Sequence, residues 1–180
     1  MKIFQVDAFA NEAFQGNPAT VCILDNVKPD SWMQSLADEM NLSETAFLFR
    51  DNKVFDLRWF TPKTEVSLCG HATLASAHIL WEEKILKENE DAIFSTKSGL
   101  LKANKRADSW IELDFPARFI VQTENRKFLD EAFDINPSYV GQFSTPNGNL
   151  YLLEVQDEEI VKELNPKFEI LEKSDAKEII

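Results

Sequence analysis

Hydrophobic and polar positions change rhythm several times along the chain, and each change predicts an element. Met1-Lys2-Ile3-Phe4-Gln5-Val6-Asp7-Ala8-Phe9 alternates as a strand does. Phe14-Gln15-Gly16-Asn17-Pro18 carries the Gly, Asn and Pro of a turn, and the β-branched run from Ala19 to Leu24 follows, so a paired β unit is predicted. Pro29 and Asp30 then introduce a helix whose apolar residues Trp32, Met33, Leu36, Ala37 and Met40 keep helical spacing as far as Asn41. Thr45–Phe49 and Val54–Phe60 read as strands around the turn at Asp51-Asn52, with Thr61-Pro62 closing the second. From Gly70 to Glu83 the rhythm changes again. Ala72, Leu74, Ala75, Ala77, Ile79, Leu80 and Trp81 point in every direction around a helix, which predicts one buried on all sides.

Three further strands are predicted at Ala92–Thr96, Gly99–Ala103 and Trp110–Phe115. Strands in this number with few helices give an α+β unit. Pro116-Ala117-Arg118 makes the boundary, dividing the chain into 1–115 and 116–180. The second part predicts a helix at Glu124–Phe133, strands at Ser138–Phe143 and Leu150–Val155, and a helix at Asp157–Leu164. Its end, acidic from Glu154 to Ile180, offers no closing apolar strand, so this domain is expected to be incomplete.

Composition narrows the class of partner. Nineteen basic against 31 acidic residues leave a net charge of -12, which argues against nucleic acid or an anionic membrane surface and leaves small molecules as the natural ligands. Hydrophobic content of 44% supports a globular fold. No run reaches transmembrane length, and the N-terminus lacks a signal-peptide core. Two cysteines, Cys22 in a strand-like run and Cys69 at a helix start, do not form a disulfide framework, and a reducing cytoplasm is the expected compartment.

The chemistry concentrates at Glu65-Val66-Ser67-Leu68-Cys69-Gly70-His71, where a thiol, a glycine and an imidazole meet the start of the buried helix. A helix start holds unpaired N–H groups and the positive end of the dipole, so it favours an anion. Gly70 lets a ligand approach the backbone, while Cys69 and His71 can donate hydrogen bonds or move protons. A small carboxylate site is the expectation. Cys69 and His71 alone do not complete a zinc ligand set, so no metal is expected. His78, two turns on, is expected as a satisfied core histidine, Cys22 as a buried small hydrophobe, and Asn17 as a turn residue sooner than a ligand contact.

Several motifs together resemble the phenazine-biosynthesis PhzF-like proteins, relatives of diaminopimelate epimerase and, more distantly, of proline racemase. They are Asp7-Ala8-Phe9, Gly16-Asn17-Pro18-Ala19, Met40-Asn41-Leu42-Ser43-Glu44-Thr45-Ala46-Phe47, Arg58-Trp59-Phe60-Thr61-Pro62 and Leu68-Cys69-Gly70-His71-Ala72-Thr73-Leu74, in the family's order. The resemblance implies a diaminopimelate epimerase-like α+β fold of two domains, each wrapping a mostly antiparallel sheet around a central helix, here that at 70–83 in the first, with the active site between them. It implies that Glu44 is the general acid/base that moves a proton on a carboxylate-bearing substrate, without a cofactor. Gly70 and His71 would bind the substrate's polar groups, with Cys69 and Asn17 as further candidate contacts, and homodimers are common in the family. Read from its surroundings alone, Glu44 is a solvent-facing glutamate at a strand edge sooner than a catalytic one.

The resemblance covers the whole chain, yet that corresponds only to the leading part of a family member. The family's second domain carries a Glu-Asp-Pro-x-Thr-Gly-Ser-like loop forming the opposite wall, and nothing in 116–180 matches it. A truncated product, a cleaved chain or a second polypeptide supplying that wall would each account for this, with truncation the expectation. Two rival functions stand beside the isomerase: a thiol-dependent epimerase or racemase using Cys69, for which no second catalytic thiol is visible, and a truncated non-catalytic protein that binds small carboxylates.

Overall fold

The computed structural model describes every residue except Ala13, Asn52, Ser109, Asn125, Pro146 and Asn147. The expected turn at Asp51-Asn52 and the start of the expected 124–133 helix therefore fall partly outside the described residues. Two compact units are formed, Met1–Phe115 and Pro116–Ile180.

The first unit runs β1 (Lys2–Ala8), β2 (Asn17–Leu24), α1 (Asp30–Met40), β3 (Glu44–Asp51), β4 (Val54–Phe60), β5 (Glu65–Val66), α2 (Gly70–Glu82), β6 (Ala92–Thr96), β7 (Gly99–Lys105) and β8 (Ile111–Asp114). They build one curled sheet in the order β1-β2-β3-β4-β6-β7-β8, with β5 beside β4. Most pairings are antiparallel. The parallel ones, β2 with β3 and β4 with β6, are those bridged by helices, since parallel neighbours need a crossover connection. α1 and α2 are these two crossovers, and they end on opposite faces of the sheet.

Side-chain alternation shows which face is which. Ala19 and Val21 of β2, Ala46 and Leu48 of β3, and Phe55, Leu57 and Trp59 of β4 are buried against α2 inside the curl. Cys22, Leu24, Phe47 and Phe60 on the other face pack under Met33 and Ala37 of α1. Phe60 and Trp32 both meet Phe47 edge-on, with ring centroids 5.5 and 6.2 Å away. Burial on both faces explains why β2 and β3 read as nearly continuous apolar runs.

The central helix is not covered on every side. Ala72, Thr73, Ala75, Ser76, Ala77, Ile79, Leu80 and Trp81 are buried, but Leu74 is half-buried and His78 is exposed. The expectation of a core histidine at 78 is thus corrected. The physical cause is the open curl: β1 and β8 both lie against α2 without pairing with each other, leaving a groove of about 880 Å³ whose lining includes Val6, Ala8, Leu74, His78, Trp110 and Leu113.

The second unit runs β9 (Val121–Gln122), α3 (Lys127–Phe133), β10 (Tyr139–Thr145), β11 (Gly148–Glu154), α4 (Glu158–Glu163), α5 (Phe168–Leu171) and β12 (Ala176–Ile179). Its sheet has the order β12-β11-β10-β9 and a core centred on Leu129, Val140 and Tyr151. The expectation that the acidic end contributes no closing strand is corrected by β12, which pairs in parallel with β11. Ala176 and Ile179 pack on the core while Lys177 and Glu178 face solvent, so only two of its four residues carry an apolar signal. Tyr151 donates to Asp175 at 3.0 Å, fixing the approach to that strand. No helix among the described residues is long and apolar enough to cross a membrane.

Candidate functional site

Three separate segments of the first unit converge at the N-terminus of α2. Glu44 is the first residue of β3 and pairs laterally with Ala19 of β2. It has the parity of Ala46 and Leu48, so alternation turns its carboxyl toward the α2 side of the sheet. Asn17 has the same parity as Ala19 and opens β2, directly after Gly16, which sits at φ +84°. A side chain at Gly16 would meet the carbonyl oxygen of Ala8 at 2.3 Å, so only glycine permits this tight return between β1 and β2. Asn17 is accordingly a paired strand residue, opposite Ala8.

His71 joins these segments. Its Nε2 lies 3.4 Å from Glu44 Oε2 and 3.2 Å from Ser43 Oγ, and its Nδ1 lies 3.5 Å from Cys69 Sγ. Ser43 Oγ is in turn 3.5 Å from Asn17 Oδ1 and from the carbonyl oxygen of Pro18. The Glu44 side chain is 19% exposed and that of His71 11%. Both can be reached, yet neither is freely solvated.

Burial pushes the His71 imidazole below its usual value, and the Glu44 carboxylate opposes this only in part. A neutral ring suits its neighbours best as the Nε2–H tautomer, with the proton donated to Ser43 Oγ beside the Glu44 carboxylate and Nδ1 accepting from the Cys69 thiol. The imidazole thus stands between the thiol and the carboxylate.

The helix start adds its own polarity. Cys69 occupies the N-cap in extended conformation without a side-chain cap bond, and Thr73 N–H bonds back to the Cys69 carbonyl oxygen at 3.3 Å. The amides of the first turn have no partners within the helix, which makes this end suited to an anion. Gly70 leaves room for a methyl group, which would meet Phe115 at an ordinary 3.8 Å. The sequence-expected residues Glu44, Cys69, Gly70 and His71 therefore come together, with Asn17 linked through Ser43. Ser43 itself was not singled out, although it lies inside the motif that contains Glu44; a serine before a strand carries no chemical signal until the fold sets it beside an imidazole.

The family model described as phenazine biosynthesis-like protein matches residues 6–180. The chain belongs to the PhzF-like family. A curated relative, an uncharacterized isomerase of Halalkalibacterium halodurans, is 51% identical over 99% of this chain and 66% of its own length. The crystal structure of a PhzF-family protein from Enterococcus faecalis superposes with a TM-score of 0.79 at 36% identity, over 97% of this chain and 64% of that one. A predicted epimerase of Pseudomonas aeruginosa, 22% identical with a TM-score of 0.78 over 98% of this chain and 68% of that one, shares the fold. The chain thus spans just under two thirds of the length of the PhzF-like relatives first matched.

Proposed function

We propose that this PhzF-like chain forms one wall of an isomerase site in which Glu44 takes a proton from carbon on a small carboxylate-bearing substrate and returns it at another position, without a cofactor. The single observation carrying this reading is the 3.4 Å approach of Glu44 to His71 at the start of α2. Free amides at the helix start favour the substrate carboxylate. His71 contributes a donor at Nε2, and Ser43 holds the ring in place. Gly70 leaves room for the substrate to lie against the backbone. Glu44, at a strand end beside this anion-favouring helix start, faces the carbon to be deprotonated, and a general acid/base so placed contributes about 10²–10⁴-fold to rate.

The test is exchange in heavy water with a panel of small unsaturated and α-amino carboxylates, using the 180-residue chain. Deuterium incorporation at carbon is expected, and Glu44→Gln should abolish it while shifting the melting temperature little. Undiminished exchange in that variant would remove Glu44 from the mechanism.

A second reading rests on a specific contact, the 3.5 Å between Cys69 Sγ and His71 Nδ1. A thiol beside an imidazole is primed to act as an acid/base, as an epimerase or racemase requires. Under this reading Cys69→Ser removes exchange and Glu44→Gln only slows it, the reverse of the order expected for the first.

A further inference from the structure

Cys69 and His71 by themselves are two donors, short of a metal site, but the fold brings a third from a distant strand. One donor atom each from Glu44, Cys69 and His71 lie within 4.8 Å of one another. We infer that these three side chains form a binding site for a zinc-like divalent ion, and that the ion inhibits proton transfer at Glu44.

The three donors lie near enough for side-chain rotation to bring them onto one ion. A tetrahedral ion about 2.3 Å from sulfur and about 2.0 Å from nitrogen or oxygen holds such donors roughly 3.3–3.6 Å apart. Cys69 Sγ to His71 Nδ1 is 3.5 Å and His71 Nε2 to Glu44 Oε2 is 3.4 Å. These contacts use different ring nitrogens, which diverge, so an ion bound to one of them keeps one contact as it stands and needs the other partner to swing round the ring from within 4.8 Å. Glu44 is the partner placed to move, because it stands at the first residue of its strand, with a side chain of two rotatable carbons beyond Cβ.

The donor set also selects the ion. One sulfur, one nitrogen and one oxygen suit a borderline-soft ion and disfavour magnesium or calcium, which take oxygen ligands. Three protein ligands leave a fourth position for water or for a substrate carboxylate oxygen. Thiolate and carboxylate together balance the double positive charge, which offsets the unfavourable dipole of the helix start. Binding replaces the Cys69 S–H bond with a sulfur–metal bond and releases that proton to solvent. The ion occupies Glu44, so the carboxylate no longer reaches the substrate carbon.

The site shares residues with the proposed reaction, so the experiment reads the metal itself. Co²⁺ added to the reduced 180-residue chain should produce the visible ligand-field bands of a tetrahedral ion and a near-ultraviolet thiolate-to-cobalt charge-transfer band. Zn²⁺ should displace both in a stoichiometric titration and protect Cys69 from iodoacetamide. Cys69→Ser should abolish the charge-transfer band. His71→Gln and Glu44→Gln should each weaken binding about tenfold or more, and Cys22→Ala should leave it unchanged; circular dichroism shows which variants are folded. Absence of the charge-transfer band, its survival in Cys69→Ser, or unprotected alkylation in excess Zn²⁺ overturns the inference. Each of these outcomes leaves the role of Glu44 in exchange to its own assay.

Discussion

Arg58 closes on both carboxylate oxygens of Glu65, Nε to Oε1 at 2.7 Å and Nη2 to Oε2 at 2.8 Å. Its Nη1 reaches Asp30 of α1 at 2.7 Å, and Lys97 joins Glu65 from the turn between β6 and β7. One guanidinium thus ties α1, β4 and β5 together, and β5 is the segment that delivers the chain to Cys69, Gly70 and His71. Arg58 acts on the site by positioning that segment.

This clasp makes a pH prediction. The hydrogen bond from Arg58, aided by Lys97 and opposed by burial, holds the Glu65 carboxyl below its ordinary value of 4.5. In acid the unfolded chain then binds the proton first, so the contribution of Glu65 is fully present above pH 4.5 and is lost as pH falls through the lower folded value. Glu65→Gln should cost about 1–3 kcal/mol at pH 7 and flatten the stability profile below 4.5, as denaturant melts across the acid range would show. An unchanged acid slope in the variant would mean that other carboxylates dominate it.

Gly70→Ala separates substrate clearance from folding. The added methyl meets no atom of the first unit closer than 3.8 Å, and alanine is the better helix former, so stability should hold or rise by up to about 1 kcal/mol. Turnover should nevertheless fall at least about tenfold if a ligand lies against this backbone, the loss of transition-state binding that 1.4 kcal/mol represents. Full activity would move the ligand elsewhere.

The two thiols should differ sharply in reactivity. Burial pushes the Cys22 thiol up to about 12, and Cys22 is fully enclosed under α1. Cys69 is also buried, but keeps 7% exposure and has an imidazole 3.5 Å away at a helix start. Peptide mapping after brief native alkylation should find the adduct on Cys69 alone, and His71→Gln should slow it. Prompt labelling of Cys22 would show that the layer between the sheet and α1 opens readily.

Neighbours on α2 should respond in opposite ways to the same charge. His78→Lys should change stability by no more than about 0.5 kcal/mol, because the side chain already faces the groove between β1 and β8. Ala77→Lys buries an ammonium where exposure is 0% and should prevent stable folding at room temperature. Equal tolerance at both positions would contradict the open curl.

Periodicity carried most of the first unit. The strands buried on both faces and the nearly all-apolar α2 are legible because their burial is written into every residue. What escaped is short or long-range. β5 and β9 have two residues each, too few for any rhythm, and β12 hides its apolar residues among Lys177 and Glu178. His78 was misread because a helix wheel shows that a face is mostly apolar, not whether two edge strands meet over it. At the site, Cys69, Gly70 and His71 are contiguous and were found as a group, whereas Glu44 drew attention through a resemblance. Its proximity to His71, and that of Ser43, depends on the parallel pairing of β2 with β3, which no local pattern encodes.

That pairing separates the location of Glu44 from the path by which the chain reaches it. The carboxyl is fixed sideways, by Ala19 in the neighbouring strand, while the 25–43 crossover merely returns the chain to the starting end of the sheet. Such an arrangement leaves the crossover open to evolutionary change. Residues can be gained or lost between Leu24 and Asp30 with the carboxyl undisturbed, whereas one residue added between Glu44 and Ala46 would either carry the carboxyl to the wrong face or turn Ala46 and Leu48 out of the core.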